Sequence, residues 1–180
     1  YSSAASDVYK RQILRWAGVT DVHILDGGFA TWDGGGFPTV AGPGGIVVPR
    51  DVKLTEGSLP SATMEDVRAF EGLLIDARGA RRFQGLREIL DLRAGHIPGA
   101  RNLPVNDLFD PETHKVKGTD EIRDRFSELG VTQNTDPASV ITYSGSGNHS
   151  ALLLAAMEQA GLPLLTHYVG GWSQWSGNRD

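Results

Sequence analysis

The stretch Val140-Ile141-Thr142-Tyr143-Ser144-Gly145-Ser146-Gly147-Asn148-His149-Ser150, running on into Ala151-Leu152-Leu153-Leu154-Ala155-Ala156-Met157-Glu158, decides how the chain is read. Its β-branched entry predicts a buried strand. Its exit is a run of good helix formers that stops at Gly161, the place of a C′ glycine. A strand, a tight turn and a helix N-terminus surround their junction with backbone N–H groups. The helix dipole adds positive potential there, so the junction suits an anion. Ser144 is expected at the floor of this cradle, with Gly145, Ser146, Gly147, Asn148, His149 and Ser150 around it. The plain alternative is an ordinary strand-to-helix turn, where Gly and Ser are common. Two other motifs fail: a phosphate-binding P-loop needs Lys after its last Gly, where Asn148 stands. A nucleophile elbow centred on Ser146 needs Gly at positions 144 and 148.

Composition narrows the function classes. Of 180 residues, 39% are hydrophobic and 22% charged, as in a globular protein. Net charge is −5 with no basic run, which argues against a nucleic-acid partner. No apolar run reaches membrane-spanning length, so no membrane partner is expected. The absence of cysteine rules out disulfides, Cys-ligated zinc and thiol catalysis in this chain. The histidines show no metal-site spacing, so no metal or other cofactor is expected. The expected compartment is cytoplasmic.

Residues 1–12 are polar and lack apolar periodicity. Asp7-Val8-Tyr9-Lys10-Arg11-Gln12 matches the in-frame translation of a transposon end used in sequencing libraries, so this segment is expected to be a cloning or assembly scar. A DNA read carrying native coding sequence there would refute it. Ile13 to Gly18 reads as a helix end closed by glycine, Val22 to Leu25 as a short strand, and Phe29 to Trp32 as a short helix. This pattern recurs later. Gly18, Gly27, Gly28 and Trp32 match Gly161, Gly170, Gly171 and Trp175, each pair 143 residues apart. The economical reading is two copies of one domain: residues 13–39 as the C-terminal fragment of the first, 40–60 as a linker, and 61–180 as a complete second copy. The fragment, lacking the strands it would pack on, is expected to lean on the complete domain.

Within 61–180, Thr63 reads as an N-cap with Asp66 closing a capping box. Leu73 to Asp76 reads as a buried strand ending in a carboxylate. Arg78, Arg81 and Arg82 follow, and Arg87, Glu88, Asp91 and Arg93 read as a charged surface stretch. Gly95 to Ala100 is a turn, in which His96 reads as a hydrogen-bonded turn residue. Arg101 to Leu103 is a short strand, and Asp120 to Leu129 an amphipathic helix. Alternating strands and helices predict an α/β fold, with a mainly parallel central sheet flanked by helices on both faces. The loops after the strands at 73–76 and 140–143 then share one rim, with arginines facing the cradle.

Asp76-Ala77-Arg78, Arg82-Phe83-Gln84-Gly85, Gly95-His96-Ile97-Pro98-Gly99-Ala100, the Gly-Ser-Gly loop and the closing Gly-Trp-Ser-x-Trp together resemble the second domain of tandem-domain rhodaneses, the thiosulfate and 3-mercaptopyruvate sulfurtransferases. The resemblance implies a sulfurtransferase moving sulfane sulfur from thiosulfate or 3-mercaptopyruvate to cyanide or a thiol. Its partners are then small sulfur-containing anions and that acceptor. In the family the first loop residue is a cysteine that carries the sulfur as a persulfide. Its pKa is lowered by the loop N–H groups and the helix N-terminus. Ser144 stands at that position here. The resemblance also implies substrate binding by Arg82 and Arg78 and a bracing role for Asp76. An alcohol ionises only far above the range of a thiol, which titrates near about 8.5, and it cannot form a persulfide. Nothing near Ser144 in the sequence is an obvious base for it, with His149 the nearest candidate for a serine hydrolase. The chain as written is therefore expected to be inactive. The alternatives are a non-catalytic anion-binding or regulatory module and, less well supported, phosphoryl chemistry in a rhodanese-like phosphatase, since those enzymes also rely on cysteine.

Overall fold

The computed structural model describes residues 4–42, 51 and 53–178. Four strands form one parallel sheet: β1 (Leu73–Asp76), β2 (Arg101–Asn102), β3 (Val140–Tyr143) and β4 (Thr166–Tyr168), in the order β2-β1-β3-β4. β1 and β3 are in register from Leu73 opposite Val140 to Asp76 opposite Tyr143. Both strands therefore end at one level, and the loops after them emerge side by side.

Alternation along these strands feeds two cores. Ile75 and Val140 face one, with Ile122 and Phe126 of α5 (Thr119–Ser127) and Leu153, Leu154 and Met157 of α6 (Asn148–Gln159). Leu74, Ile141, Tyr143 and Tyr168 face the other, with Val67 of α3 (Met64–Arg68) and Trp172 of α7 (Gly171–Gly177). The sheet is thus covered by helices on both faces, as expected. Thr63 caps α3: its hydroxyl accepts from Asp66 N, while Asp66 accepts from Thr63 N at 2.8 Å. A four-residue helix, α4 (Ala80–Phe83), follows β1.

Ahead of these elements lie α1 (Ala4–Trp16) and α2 (Gly28–Gly34). The segment read as a scar continues α1 without a break, and its Val8 is buried. α1 lies against α6, where Arg11 and Arg15 both pair with Glu158. Of the segment read as a first-domain fragment, residues 13–16 lie in α1 and pack on α6. The expected strand at Val22–Leu25 does not form. Ile24 and Leu25 are exposed there and no described strand lies alongside, and a strand without a ladder partner leaves its backbone to water. The 143-residue repeat is visible in the elements: α2 at 28–34 corresponds to α7 at 171–177, and α1 and α6 end at Trp16 and Gln159. Of the expected linker 40–60, residues 43–50 and 52 lie outside the described residues. Its later part is pinned to α1, with Thr55 N donating to Ala17 O and Ser58 N to Trp16 O.

Among the described residues no helix is long and apolar enough to cross a membrane, and no three His, Cys, Asp or Glu side chains cluster as a metal site would require.

Candidate functional site

The loop between β3 and α6 forms one side of a pocket of about 340 Å³, lined by Arg82, Leu90, Asp91, Ser144, Gly145, Ser146, Asn148, His149 and Ser173. Ser144 is at its floor, 1% exposed. Among the described residues, the backbone N–H groups of Gly145 to Ser150 make no hydrogen bond, so the N-terminal end of α6 opens on the pocket with its donors unspent. The loop's carbonyls, by contrast, are tied down. Trp172 N donates to Ser144 O at 2.7 Å and Ser173 N to Gly145 O at 2.9 Å. That close approach needs glycine at 171: its φ is +56°, and a Cβ would sit 2.3 Å from Ser144 O. Gly147 takes the left-handed turn into α6, at φ +84°. With its acceptors occupied and its donors free, the loop presents positive potential.

Arg82 lies over this loop. Its Nη1 is 3.5 Å from where a Cβ on Gly145 would be, an ordinary contact distance that puts the guanidinium against the loop. The orientation is fixed by two carboxylates. Glu88 accepts from Arg82 Nε and Nη2, and Asp91 accepts from Nη2 at 2.7 Å. Both carboxylates are 5% exposed, so two of the four residues read as surface charge fold inward, while Arg87 and Arg93 stay exposed. Glu88 is shaped for this, with Oε1 also accepting from the backbone N–H groups of Ile89, Leu90 and Asp91. Burial pushes its carboxyl up, but the N–H of Leu90, the Arg82 guanidinium and the N–H of Asp91 together hold it down to about 2. Asp91 in turn accepts from Ser173 Oγ, which links the arginine clamp to α7.

Arg78 is not in the pocket. It is fully buried, and its Nε and Nη2 grip Asp76 at 2.7 to 3.1 Å while Nη2 also donates to Gly95 O. Its guanidinium stacks 5.1 Å over Trp172. Its Nη1 lies 3.6 Å from Glu88 Oε2 with no hydrogen-bond partner among the described residues, and Arg78, expected to bind substrate, does not line the pocket. Asp76, equally buried, holds Arg78 through both carboxylate oxygens and also accepts from its backbone N–H. His96 is the turn histidine expected, with Nδ1 against Phe83 O at 2.7 Å and its ring stacked on Phe83.

His149 lines the pocket; burial and the nearby Arg82 lower its pKa. The hydroxyl of Ser144 meets a different residue, Ser150 Oγ at 3.1 Å, and Ser150 Oγ lies 2.7 Å from His167 Nε2. His167 is on β4, and burial pushes it down to about 4, so it is neutral at ordinary pH. Sequence reasoning missed this histidine because it reaches position 144 only through the packing of β4 beside β3.

Comparison with known proteins identifies a family for most of the chain. The family described as "Rhodanese-like domain" matches residues 61–178. A Pseudomonas aeruginosa protein named "Probable 3-mercaptopyruvate sulfurtransferase" is 34% identical over 170 residues, covering 91% of this chain and 58% of that one. The 3-mercaptopyruvate sulfurtransferase of Escherichia coli is 32% identical over 186 residues, covering 93% and 60%. The chain thus spans about three fifths of the length of these curated relatives. In structure it is similar to the 3-mercaptopyruvate sulfurtransferase of Leishmania major, with a TM-score of 0.76 at 24% identity over 91% of this chain and 46% of that one.

Proposed function

Because this chain belongs to the rhodanese-like domain family, we propose that the loop from Ser144 to Ser150 is a sulfur-transfer site whose sulfur-carrying position is filled by serine. It takes small sulfur-containing anions, thiosulfate or 3-mercaptopyruvate, and as written does not turn them over. The observation that carries this reading is the position of Ser144 at the floor of a pocket whose loop donors are unspent, beneath an arginine held in place. In the sulfurtransferases this chain resembles, that position needs a thiolate, and a serine hydroxyl cannot become the persulfide that carries the sulfur.

The second reading is a non-catalytic anion-binding or regulatory module. The pairing of Arg82 with Glu88 and Asp91 favours it, because two carboxylates offset the one cation lining the pocket and limit how tightly an anion is held. Both readings require binding without turnover in the Ser144 chain. NMR titration with thiosulfate at fixed ionic strength should shift the amides of Gly145 to Ser150, with no thiocyanate formed when cyanide is added. A folded protein whose loop amides do not respond would remove the site, and thiocyanate production at enzymatic rates would remove the argument from the missing thiol.

A further inference from the structure

Three buried side chains form a hydrogen-bonded row beneath the pocket: Ser144 Oγ, Ser150 Oγ and His167 Nε2, at successive distances of 3.1 and 2.7 Å. None is more than 3% exposed. Ser150 Oγ also lies 3.1 Å from Gly147 O, to which it donates. A serine hydroxyl has one proton to give and two lone pairs. With its proton on Gly147 O, Ser150 accepts from both neighbours. That arrangement takes His167 as the Nε2–H tautomer and Ser144 as the donor to Ser150.

We propose that Ser150 and His167 are positioning residues that stabilise the ionised form of the side chain at position 144. This rests on the reading of position 144 as the sulfur-carrying site. When that side chain loses its proton to solvent, Ser150 turns its own proton from Gly147 O to the new anion. His167 Nε2–H keeps donating to Ser150 and polarises that bond. The only charge this adds is the anion at position 144, since the relay stays neutral throughout. A neutral donor chain in a dry site favours the anion as a hydrogen bond to any charged form does. The loop N–H groups act on the pocket side of residue 144, and the relay acts from beneath.

The test is the thiol pKa at position 144, read from the pH dependence of alkylation by iodoacetamide. It is measured in Ser144→Cys and in the same protein carrying Ser150→Ala or His167→Leu. The charged and titratable groups facing this position across the pocket, Arg82, Asp91 and His149, are the same in all three proteins. Ser150→Ala should raise the thiol pKa by about one unit, a roughly tenfold fall in alkylation rate at a fixed pH below it. His167→Leu should raise it by less, since Ser150 can still donate. A purely structural Ser150–His167 pair would lower the thermal midpoint and leave the thiol pKa where it was, and that result overturns the proposal. So does a shift with His167→Leu and none with Ser150→Ala. Failure of Ser144→Cys to transfer sulfur would count against the functional reading alone, because alkylation needs no sulfur donor.

Discussion

Replacing Arg78 with Met tests whether this arginine braces the fold or binds substrate. The substitution keeps most of the side chain's length and removes its charge. Asp76 then remains fully buried, with only the backbone N–H at position 78 left of the bonds it received from that residue. The lost contacts are three hydrogen bonds to Asp76 at 2.7 to 3.1 Å and one to Gly95 O at 2.7 Å. Breaking a buried ion pair by removing one partner costs about 3–5 kcal/mol. That is a large share of a total stability of about 5–15 kcal/mol. With a urea m-value of about 2 kcal/mol/M, the unfolding midpoint should fall by about 2 M. Urea titration followed by tryptophan fluorescence reads the stability, and thiosulfate titration of the still-folded variant reads the site. A loss under about 1 kcal/mol together with abolished binding would show that Arg78 faces the ligand, against the geometry described above.

Arg82→Ala should weaken thiosulfate binding by about 1–3 kcal/mol, the range for a charge-assisted hydrogen bond. Arg101→Ala should leave it unchanged, since Arg101 donates to the carbonyls of Glu128 and Leu129 away from the pocket; calorimetry on both variants checks this, and equal affinities would take Arg82 out of the site. His167 is held neutral, with its folded pKa depressed from 6.5 to about 4. The unfolded chain therefore binds the proton first as pH falls, and stability should drop by about 3 kcal/mol between pH 6.5 and 4. Urea midpoints across that window should show a smaller drop in His167→Gln, and an identical pH dependence in the two proteins would contradict the burial argument.

The sequence made the frame legible because its signals are local. A β-branched run gave β3, an apolar run ending in Asp76 gave β1, the Thr63–Asp66 box gave the start of α3, and Gly161 gave the end of α6. Arg82 and the Ser144 loop could be placed together because both follow strands that a parallel sheet brings to one rim. What escaped depended on partners distant in the chain. Val22 to Leu25 has the composition of a strand, but no described neighbour offers it a ladder. Glu88 and Asp91 read as solvated charge, yet Arg82 and the backbone of residues 89–91 draw them inward. Arg78 reads like Arg82 in sequence, and only the fold shows that it is buried and grips Asp76. His167 sits 17 residues beyond Ser150, and strand packing alone sets it beneath the loop. A histidine inside a short buried strand was the available signal.

If the loop from Ser144 to Ser150 is a sulfur-transfer site, what it lacks for turnover is the sulfur at position 144. The direct measurement is the formation of thiocyanate from thiosulfate and cyanide by the parent chain and by Ser144→Cys. It should be paired with intact-mass analysis for one added sulfur on the protein. The parent should give neither thiocyanate nor added mass. The cysteine variant should gain both, with the added sulfur on Cys at position 144. A folded Ser144→Cys protein that alkylates normally but takes no sulfur from thiosulfate or 3-mercaptopyruvate would contradict the account.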